Sequence, residues 1–417
     1  MYHNIVSDKA FRAIHAWVQR KLGDIAEFSK GNGYSKGDLI DKGNPIILYG
    51  RLYTNYETLI ENVDTFTKMK ENSVLSQGGE VIIPSSGETA EDISRASVVA
   101  KAGIILGGDL NIVKPDSTIY PTFLAIIISN GNQQKELSKR AQGKSVVHIS
   151  NSDLKEVVLQ LPSITEQIAI NNFFRTLDDT ITLYKRKLDG LKELKRGYLQ
   201  QMFPQSGEDI PLLRFVGFAE PWEQLILNDI VVKLTGGASI EPNDYQDFGV
   251  RTIPKGAINA TGVADLSGSK FISNFFYEKN KSSMVSTTDI VTSLRDLVPS
   301  APSMGRIVRI EGAKEDFLMP QGVYKIELLD GISENFVISY SNSEKYRKII
   351  FAEKNGSTQV HIRNGEFLNI DIPVPSSDEQ STIGNFFRNL DDQIAAYQSK
   401  LDKLKQLKST YLQKMFI

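Results

Sequence analysis

Apolar residues recur every seven positions in two stretches of the chain, residues 161–204 and 374–417. A second apolar series lies between the members of the first, which is the a/d pattern of helices that pack along a seam. The predicted seam residues are Phe174, Leu177, Ile181, Tyr184, Leu188, Leu191 and Tyr198 in the first stretch and Phe387, Leu390, Ile394, Tyr397, Leu401, Leu404 and Tyr411 in the second. A helix of ~40 residues extends ~60 Å, which exceeds the diameter of a small domain, so we expect the two seams to pack on each other.

The two stretches are copies of one sequence, with 26 of 44 aligned positions identical. Residue 161 aligns with residue 374, so equivalent positions in these two stretches differ by 213. The similarity thins upstream, and at the far end Trp17–Ile25 pairs with Trp222–Ile230 at an offset of 205. The repeated unit is therefore roughly 205–213 residues long and occurs twice. This pattern predicts two duplicated domains rather than a solenoid.

Each stretch begins with a Pro followed by a Ser-x-x-Glu pattern, Ser163 to Glu166 and Ser376 to Glu379, which predicts a capping box. The order along the chain then sets the direction of the helices. The first helix leaves the first domain for the second, and the second helix returns, so the two are expected to lie antiparallel with approximate two-fold symmetry.

Outside the helices, short β-branched and aromatic runs are separated by Gly, Pro, Asn and Ser, which predicts mostly β domains with a few helices. The expected fold class is α+β, with two mostly β domains separated by two long antiparallel coiled-coil helices in a pseudo-two-fold internal repeat. The predicted boundaries are 1–160 for the first domain, 161–204 for the first helix, 205–373 for the second domain and 374–417 for the second helix.

Composition narrows the function classes. The 417 residues include no Cys and only four scattered His, which excludes disulfides and thiolate chemistry and argues against a metal site. No signal pattern opens the chain, and the longest apolar run, Phe123–Ile128, is far below the ~20 residues of a membrane span. We therefore expect a soluble, cytoplasmic protein with no membrane partner. The net charge of −2 predicts weak binding to nucleic acid by this chain alone.

Motifs for catalysis are incomplete. The segment Asn44–Ile47 lacks the second Pro and the aromatic residue of an amino-methyltransferase turn, and no helix pattern follows the glycine-rich Phe28–Gly33. Gln142–Ser145 ends like a phosphate-binding loop, but Ser occupies position 138 where Gly is needed, and Pro115-Asp116 lacks the Glu-x-Lys of a metal-dependent nuclease. No active site is predicted.

Paired carboxylates occur twice, at Asp178-Asp179 and at Asp391-Asp392. Both pairs lie beside the helical seam, and we interpret them as solvated helix charge rather than as an acid–base pair.

Three segments carry a resemblance to a known family: LPSITEQIAINNFFRTLDDTITLYKRKLDGLKELKRGYLQQMF with its C-terminal copy, RFVGFAEPWEQ (214–224) and WVQRKLGDIAEFSKGNGYSK (17–36). They resemble the specificity subunits of type I restriction–modification systems over essentially the whole chain. The first domain departs from the pattern, because Phe11–Ala16 lacks the RFxGF lead-in found at 214–218.

The resemblance implies a non-catalytic DNA-recognition subunit. Each domain would read one half of an interrupted site on double-stranded DNA, and the helices would set the gap. Two methylation subunits and two restriction subunits would dock on the chain, with S-adenosylmethionine, ATP and Mg on those partners and no cofactor on this chain. The residues leave open a second class, a coiled-coil adaptor or scaffold without its own sequence readout, and, less favoured, a fused methyltransferase or nuclease half.

Candidate DNA contacts are polar, aromatic or basic residues on loops marked by Gly. Arg suits guanine, Asn or Gln suits adenine, and Ser suits phosphate. The candidates are Lys30, Asn32, Tyr34, Lys36, Tyr49, Arg51, Tyr53, Asn55, Tyr56, Ser85, Ser86, Lys139, Arg140 and Lys144 in the first domain and Lys233, Thr235, Ser239, Lys255, Arg295, Ser303, Gln321, Thr358 and Gln359 in the second. His148 and His361, equivalent by the repeat, are interpreted as structural. The sequence gives neither the recognised bases nor the length of the gap.

Overall fold

The computed structural model describes residues 17–143, 146–205, 207–254 and 256–416. By their contacts these residues form two compact units. The first unit consists of the chain up to Leu183 together with the chain from Leu401 onward, and the second is Tyr184–Lys400. Each unit therefore holds one β-rich domain and a part of both long helices. The segment Phe11–Ala16 lies outside the described residues.

The first unit contains two five-stranded mixed sheets, with strand orders β2-β12-β8-β10-β5 and β3-β6-β4-β11-β7, and two short pairs, β1-β14 and β13-β9. Its strands are β1 (Val18–Lys21), β2 (Ala26–Lys30), β3 (Leu39–Ile40), β4 (Asn44–Ile47), β5 (Leu59–Ile60), β6 (Phe66–Thr67), β7 (Leu75–Gln77), β8 (Val81–Pro84), β9 (Ser86–Gly87), β10 (Ser97–Val99), β11 (Ala102–Leu106), β12 (Leu110–Pro115), β13 (Val147–His148) and β14 (Val158–Leu161). Its short α-helices are Arg51–Thr54, Pro121–Ile128, Gly131–Arg140 and Asn151–Lys155.

Strand β8 lies at the centre of the first five-stranded sheet, and its side chains enter a hydrophobic core on each face. Successive side chains of a strand point to opposite faces. Val81 and Ile83 pack in a core with Phe123 of the helix Pro121–Ile128, whereas Ile82 packs with Ile112 in a second core. Because both faces of β8 are buried, its sequence is continuously apolar and does not alternate between apolar and polar residues.

The second unit repeats this plan, with sheets β16-β25-β21-β23 and β17-β19-β18-β24-β20 and the pairs β15-β27 and β22-β26. Its strands are β15 (Glu223–Ile226), β16 (Val231–Gly236), β17 (Tyr245–Gln246), β18 (Val250–Thr252), β19 (Phe271–Ile272), β20 (Met284–Ser286), β21 (Ile290–Ser293), β22 (Arg295–Asp296), β23 (Ile307–Arg309), β24 (Asp316–Leu318), β25 (Val323–Leu328), β26 (Val360–His361) and β27 (Asp371–Val374). Its short α-helices are Leu227–Ile230, Asn274–Lys279, Glu334–Tyr340, Glu344–Glu353 and Asn364–Leu368. The prediction of two β-rich domains with a few helices is confirmed.

The first long helix is Ile164–Gln201, and the second long helix is Ser377–Met415. Three residues beyond the first helix, Pro204 prevents further helical hydrogen bonding. All predicted seam residues are buried or half-buried along both helices. The apolar stripe is therefore the face that each helix turns inward.

Within the first unit, the start of the first long helix packs on the end of the second. Phe173 contacts Tyr411 edge to face, with ring centroids 5.2 Å apart, and Lys408 Nζ lies 2.5 Å from the Asp178 carboxylate. As one helix is followed forward its contacts move backward along the other, so the pair is antiparallel.

Within the second unit the same contacts occur with the copies exchanged. Tyr198 contacts Phe386 at 5.0 Å, and Lys195 Nζ lies 2.5 Å from Asp391. Phe173 and Asp178 become Phe386 and Asp391 when 213 is added, and Tyr411 and Lys408 become Tyr198 and Lys195 when 213 is subtracted. One contact set is therefore used twice. Tyr184 packs on Tyr397, its own equivalent, at 5.6 Å.

The paired carboxylates require a correction. Asp391 is 15% exposed in its side chain and forms the ion pair with Lys195, whose ammonium also donates to Ala260 O. Asp178 forms the equivalent pair with Lys408. One carboxylate of each pair therefore forms an ion pair that joins the two helices, because the apposed helix places a cation opposite it; Asp391 is largely enclosed, whereas Asp178 stays 39% exposed.

The glutamates of the predicted capping boxes also bind elsewhere. Glu166 Oε1 accepts a hydrogen bond from Trp17 Nε1 at 3.3 Å, and Glu379 forms two hydrogen bonds of 2.7 Å with Arg214. Ser163 Oγ does accept from the Glu166 backbone N–H, as a cap should. The equivalent glutamates thus tie each long helix to the first segment of its own domain.

Candidate nucleic-acid interface

Four segments of the second unit meet at one end of its sheets, 236–239, 294–296, 320–322 and 359–361, and we call them the second loop cluster. Backbone hydrogen bonds fix them. Gln321 N–H donates to Ala238 O at 2.7 Å, and Leu294 N–H donates to Gly322 O at 3.0 Å. Arg295 pairs with His361 in the short ladder of β22 and β26.

The first unit builds the same arrangement from segments 30–32, 85–87, 106–109 and 147–148, the first loop cluster. Ser85 N–H donates to Asp109 O at 2.8 Å, which corresponds to the bond from Leu294 to Gly322. His148 pairs with Ser86, which places Ser86 where the second cluster has Arg295.

A close backbone approach requires glycine at the same point of both clusters. A Cβ on Gly31 would lie 1.9 Å from Gly107 O, and a Cβ on Gly237 would lie 2.1 Å from Pro320 O. Real Cβ atoms do not approach a carbonyl so closely, so only glycine lets these segments meet. The backbone is therefore conserved between the clusters by two equivalent glycines.

The side chains differ where the backbone agrees. The exposed side chains of the first cluster are Lys30, Asn32, Asp109 and His148, and those of the second are Ser239, Arg295, Gln321, Gln359 and His361. One framework thus displays two different sets of hydrogen-bonding groups at the surface.

A family model described as the type I restriction modification DNA specificity domain matches residues 15–193 and 220–406. The chain belongs to this family. The two matched regions fall on the two repeats, and the resemblance found in the sequence is confirmed.

The chain is similar to the type I restriction enzyme MjaVIII specificity subunit of Methanocaldococcus jannaschii, with 20% identity over 404 residues that cover 94% of this chain and 90% of that protein. Its fold is similar to the crystal structure of a type I restriction–modification S subunit from M. genitalium, with a TM-score of 0.62, 15% identity and 97% of each chain covered. A chain from a structure on complex assembly and conformational transition of the type I R-M system matches with a TM-score of 0.54 and 16% identity, covering 96% of this chain and 97% of that one.

As a specificity-domain protein, the chain places many of its predicted contact residues in the second loop cluster. Ser239, Arg295, Gln321 and Gln359 are exposed members of it, and the exposed Thr358 precedes it directly. Ser303 is half-buried, and its backbone N–H donates to Asp296 at 2.8 Å. These residues are close together although they are up to 120 positions apart in the sequence.

Three other second-unit candidates lie apart from this group. Lys233 is exposed on β16 opposite Glu327, toward the other end of the strand. Thr235 is half-buried, and its hydroxyl has no hydrogen-bond partner among the described groups. Lys255 lies outside the described residues.

Three predicted DNA contacts of the first unit have buried side chains, which corrects their assignment. Tyr34 is buried, and its hydroxyl bonds with Ser73 Oγ at 2.5 Å and accepts from Lys70 N–H. Ser85 and Ser86 are buried in the ladder beside His148. Side chains enclosed in this way hold the loops in shape and have no surface to offer to a base.

Arg51 is engaged in ion pairs within its own domain. Its guanidinium binds the carboxylates of Asp64 at 2.6 Å and Glu57 at 2.8 Å. Desolvation lowers the pKa of Arg51, but the bonds to Glu57 and Asp64 outweigh it, so the pKa is raised. When both terminal nitrogens of a guanidinium already bind carboxylates, few N–H donors are available to bind guanine. Its prediction as a base contact is therefore not supported.

The remaining first-unit candidates fall into three places. Lys30 and Asn32 are exposed in the first loop cluster, and Lys36 is exposed just beyond it. Lys139 and Arg140 end the helix Gly131–Arg140, and Lys139 pairs with Glu136. Lys144 lies outside the part of the chain that the structure describes.

Aromatic candidates of the first unit surround the helix Arg51–Thr54. Tyr49 and Tyr53 pack edge to face at 6.1 Å, and burial together with Tyr49, Asp92 and Glu88 raises the pKa of Tyr53. The exposed Asn55 ends this helix, and Tyr56 turns to Arg95, whose guanidinium lies 5.7 Å from the ring centre.

Sequence reasoning missed three surface residues. His148 and His361 were interpreted as structural, yet both side chains are exposed at the centre of a cluster, and Asp109 is exposed beside His148. The repeat already paired the two histidines and could have assigned them to equivalent surfaces. Asp109 offered no signal because its position depends on a left-handed turn with a φ of 59°.

Within the described ranges, no helix is long and apolar enough to cross a membrane, and no group of three or more acidic or histidine side chains could hold a metal ion.

Proposed function

We propose that this chain is the DNA-recognition subunit of a type I restriction–modification complex, and that each unit reads one half of a bipartite site. The observation that carries the proposal is the pair of loop clusters, in which one backbone framework presents two different sets of polar side chains. Two half-sites of different sequence need this combination, since base edges are distinguished by the pattern of donors and acceptors. The family and the similar specificity subunit support it.

Arg295 is the strongest candidate for reading a base. It is exposed in the second loop cluster and forms no ion pair with a residue that the structure describes. An arginine can donate two parallel hydrogen bonds to O6 and N7 of guanine. Gln321 and Gln359 beside it suit adenine in the same way.

Catalysis belongs to other chains in this proposal. S-adenosylmethionine, ATP and Mg would be bound by two methylation and two restriction subunits, and a similar structure concerns complex assembly of a type I system. The partners would also supply many phosphate contacts, which reconciles a net charge of −2 with binding to DNA. A cytoplasmic setting is part of the proposal.

The long helices would set the gap between the half-sites. The first has 38 residues and the second 39, and the rise of 1.5 Å per residue makes each nearly 60 Å long. Readers that are joined rigidly gain affinity only when both half-sites stand at the permitted separation.

The test is a mobility-shift assay with the methylation subunit, on DNA that carries the site found by mapping methylated adenines in the host genome. We expect Arg295→Ala to weaken specific binding by about 5- to 150-fold, since a bidentate arginine–guanine contact contributes ~1–3 kcal/mol. Lys348→Ala is the control, because Lys348 is exposed on the helix Glu344–Glu353 and forms a surface ion pair with Glu344. Wild-type complex without sequence-selective binding would favour an adaptor role instead.

A further inference from the structure

Residues 297–303 form a surface loop directly after Arg295 and Asp296 of the second loop cluster. Its sequence, LVPSAPS, has no charged side chain. Leu297 is 59% exposed and Val298 is 44% exposed. A loop that turns two aliphatic side chains to the surface at the edge of a polar cluster needs an explanation beyond the core of the domain.

The backbone of this loop is held by two half-buried arginines. Arg347 donates to Met304 O at 2.6 Å and to Ala301 O at 2.8 Å, and Arg306 donates to Pro302 O at 2.7 Å. Ala301 has a φ of 48°, a conformation that alanine rarely adopts. The carbonyl groups that a free loop would turn to water are therefore fixed by guanidinium groups.

Further groups complete the restraint. The Asp296 carboxylate accepts from Ser303 N–H at 2.8 Å, Lys354 donates to Pro299 O at 2.5 Å, and Tyr346 donates to Gly305 O at 2.7 Å. Removing cations from water costs free energy, and burial lowers the pKa of Arg306 to about 10. Together these hydrogen bonds restrain the backbone of the loop.

The equivalent loop of the first unit is held differently. Its restraints are hydroxyl groups, with Ser94 donating to Ala90 O at 2.6 Å and Ser138 to the same oxygen at 3.3 Å. The position equivalent to Arg347 is Gln134. The guanidinium restraint is therefore specific to the second half of the molecule and not a general need of the fold.

Two cations lie beside the apolar tip. Arg295 precedes it in the chain, and Lys354 donates to Pro299 O within it, with the ammonium 3.3 Å from the centre of the half-exposed Phe351 ring. Cations beside an apolar tip match a DNA groove, in which phosphates lie beside the base edges. The one apolar group on a base edge of the major groove is the 5-methyl of thymine.

We propose that residues 297–303 form a rigid specificity loop, in which Leu297 and Val298 contact thymine methyl groups in the major groove of the half-site that the second unit reads. Arg347 and Arg306 are positioning residues for this contact. The inference rests on the proposed function and adds one base and one chemical group to it.

The test replaces each thymine of the mapped site, one at a time, by deoxyuridine, which lacks only the methyl group. Binding is measured with the full chain and the methylation subunit. We expect deoxyuridine in one half-site to weaken wild-type binding by about 3- to 5-fold per contacted methyl. The double variant Leu297→Ala/Val298→Ala should bind the thymine site more weakly and lose the difference between thymine and deoxyuridine in that half-site alone.

Phe275→Ala is the matched control, because Phe275 is an 82% exposed apolar side chain elsewhere in the same unit and should leave the difference intact. Sequence-selective binding with no deoxyuridine effect in either half-site would overturn the inference and leave the proposed function standing. A difference between thymine and deoxyuridine that the Leu297→Ala/Val298→Ala variant retains would also overturn the inference. Loss of selective binding in the wild type would overturn both.

Discussion

Glu379→Ala should lower the free energy of unfolding of the second unit by about 3–5 kcal/mol. The Glu379 carboxylate is 1% exposed and binds Arg214 through two hydrogen bonds of 2.7 Å, and its proximity raises the pKa of that arginine. Without the carboxylate, a guanidinium that is only 12% exposed keeps its charge and loses its partner. The remaining Arg214 bond, to Glu220 O at 2.7 Å, does not neutralise it.

The repeat supplies the control for this prediction. Glu166→Ala removes the equivalent carboxylate, whose partner is the neutral indole N–H of Trp17 at 3.3 Å, and should cost only about 1 kcal/mol in the first unit. The two Trp residues of the chain, Trp17 and Trp222, lie one in each unit, so urea unfolding of single-tryptophan variants reports each unit separately. Equal losses in the two units would contradict the assignment of a buried ion pair to Glu379.

Phe203→Ala should cost about 3–5 kcal/mol in the second unit, because a buried ring is replaced by a cavity. Phe203 is 1% exposed, and its ring contacts Trp222, Phe336, Tyr340 and Phe387 at centroid distances of 6.2, 5.7, 5.6 and 5.9 Å. These contacts join the chain just after the first long helix to the second long helix and to the domain between them.

Urea unfolding followed by the fluorescence of Trp222 measures this loss. Phe275→Ala removes the same ring from an 82% exposed position and should change stability by less than about 0.5 kcal/mol. A similar small change for Phe203→Ala would mean that the aromatic cluster does not hold the helices to the domain.

The long helices could be predicted from the sequence because their information is local. The heptads place Leu177 and Leu390 on the buried face whatever the partner, and the copy in the second half repeats the evidence. The antiparallel direction followed from chain order alone. The ion pairs Lys195–Asp391 and Lys408–Asp178 did not follow, because each depends on the register between helices that are about 200 residues apart.

The candidate site was predictable only in part. Arg295, Gln321 and Gln359 could be chosen as polar residues near glycines, but strand pairing, which no local pattern specifies, decides which loops meet. Ser85 and Ser86 look as polar as Ser239, yet the ladder with β13 buries them. Leu297 and Val298 were not candidates because the candidates were chosen as polar, aromatic or basic residues, and their exposure depends on the path of the 297–303 loop.

In the proposed function, the helix pair sets the gap between the two half-sites. Deleting residues 181–187 together with their equivalents 394–400 removes one heptad from each helix and shortens it by about 10 Å. Tyr184 and Tyr397, which pack on each other, are removed together, and the Asp178–Lys408 and Lys195–Asp391 pairs keep their register. Deleting 181–187 alone is the control, since it shifts one helix against the other and should abolish methylation.

The deciding measurement is a map of methylated adenines in cells that express the double deletion with its methylation subunit. We expect the same two half-sites with a gap about three base pairs shorter, at 3.4 Å per base pair. Methylation of the same half-sites at the original spacing would show that the helices do not set the gap.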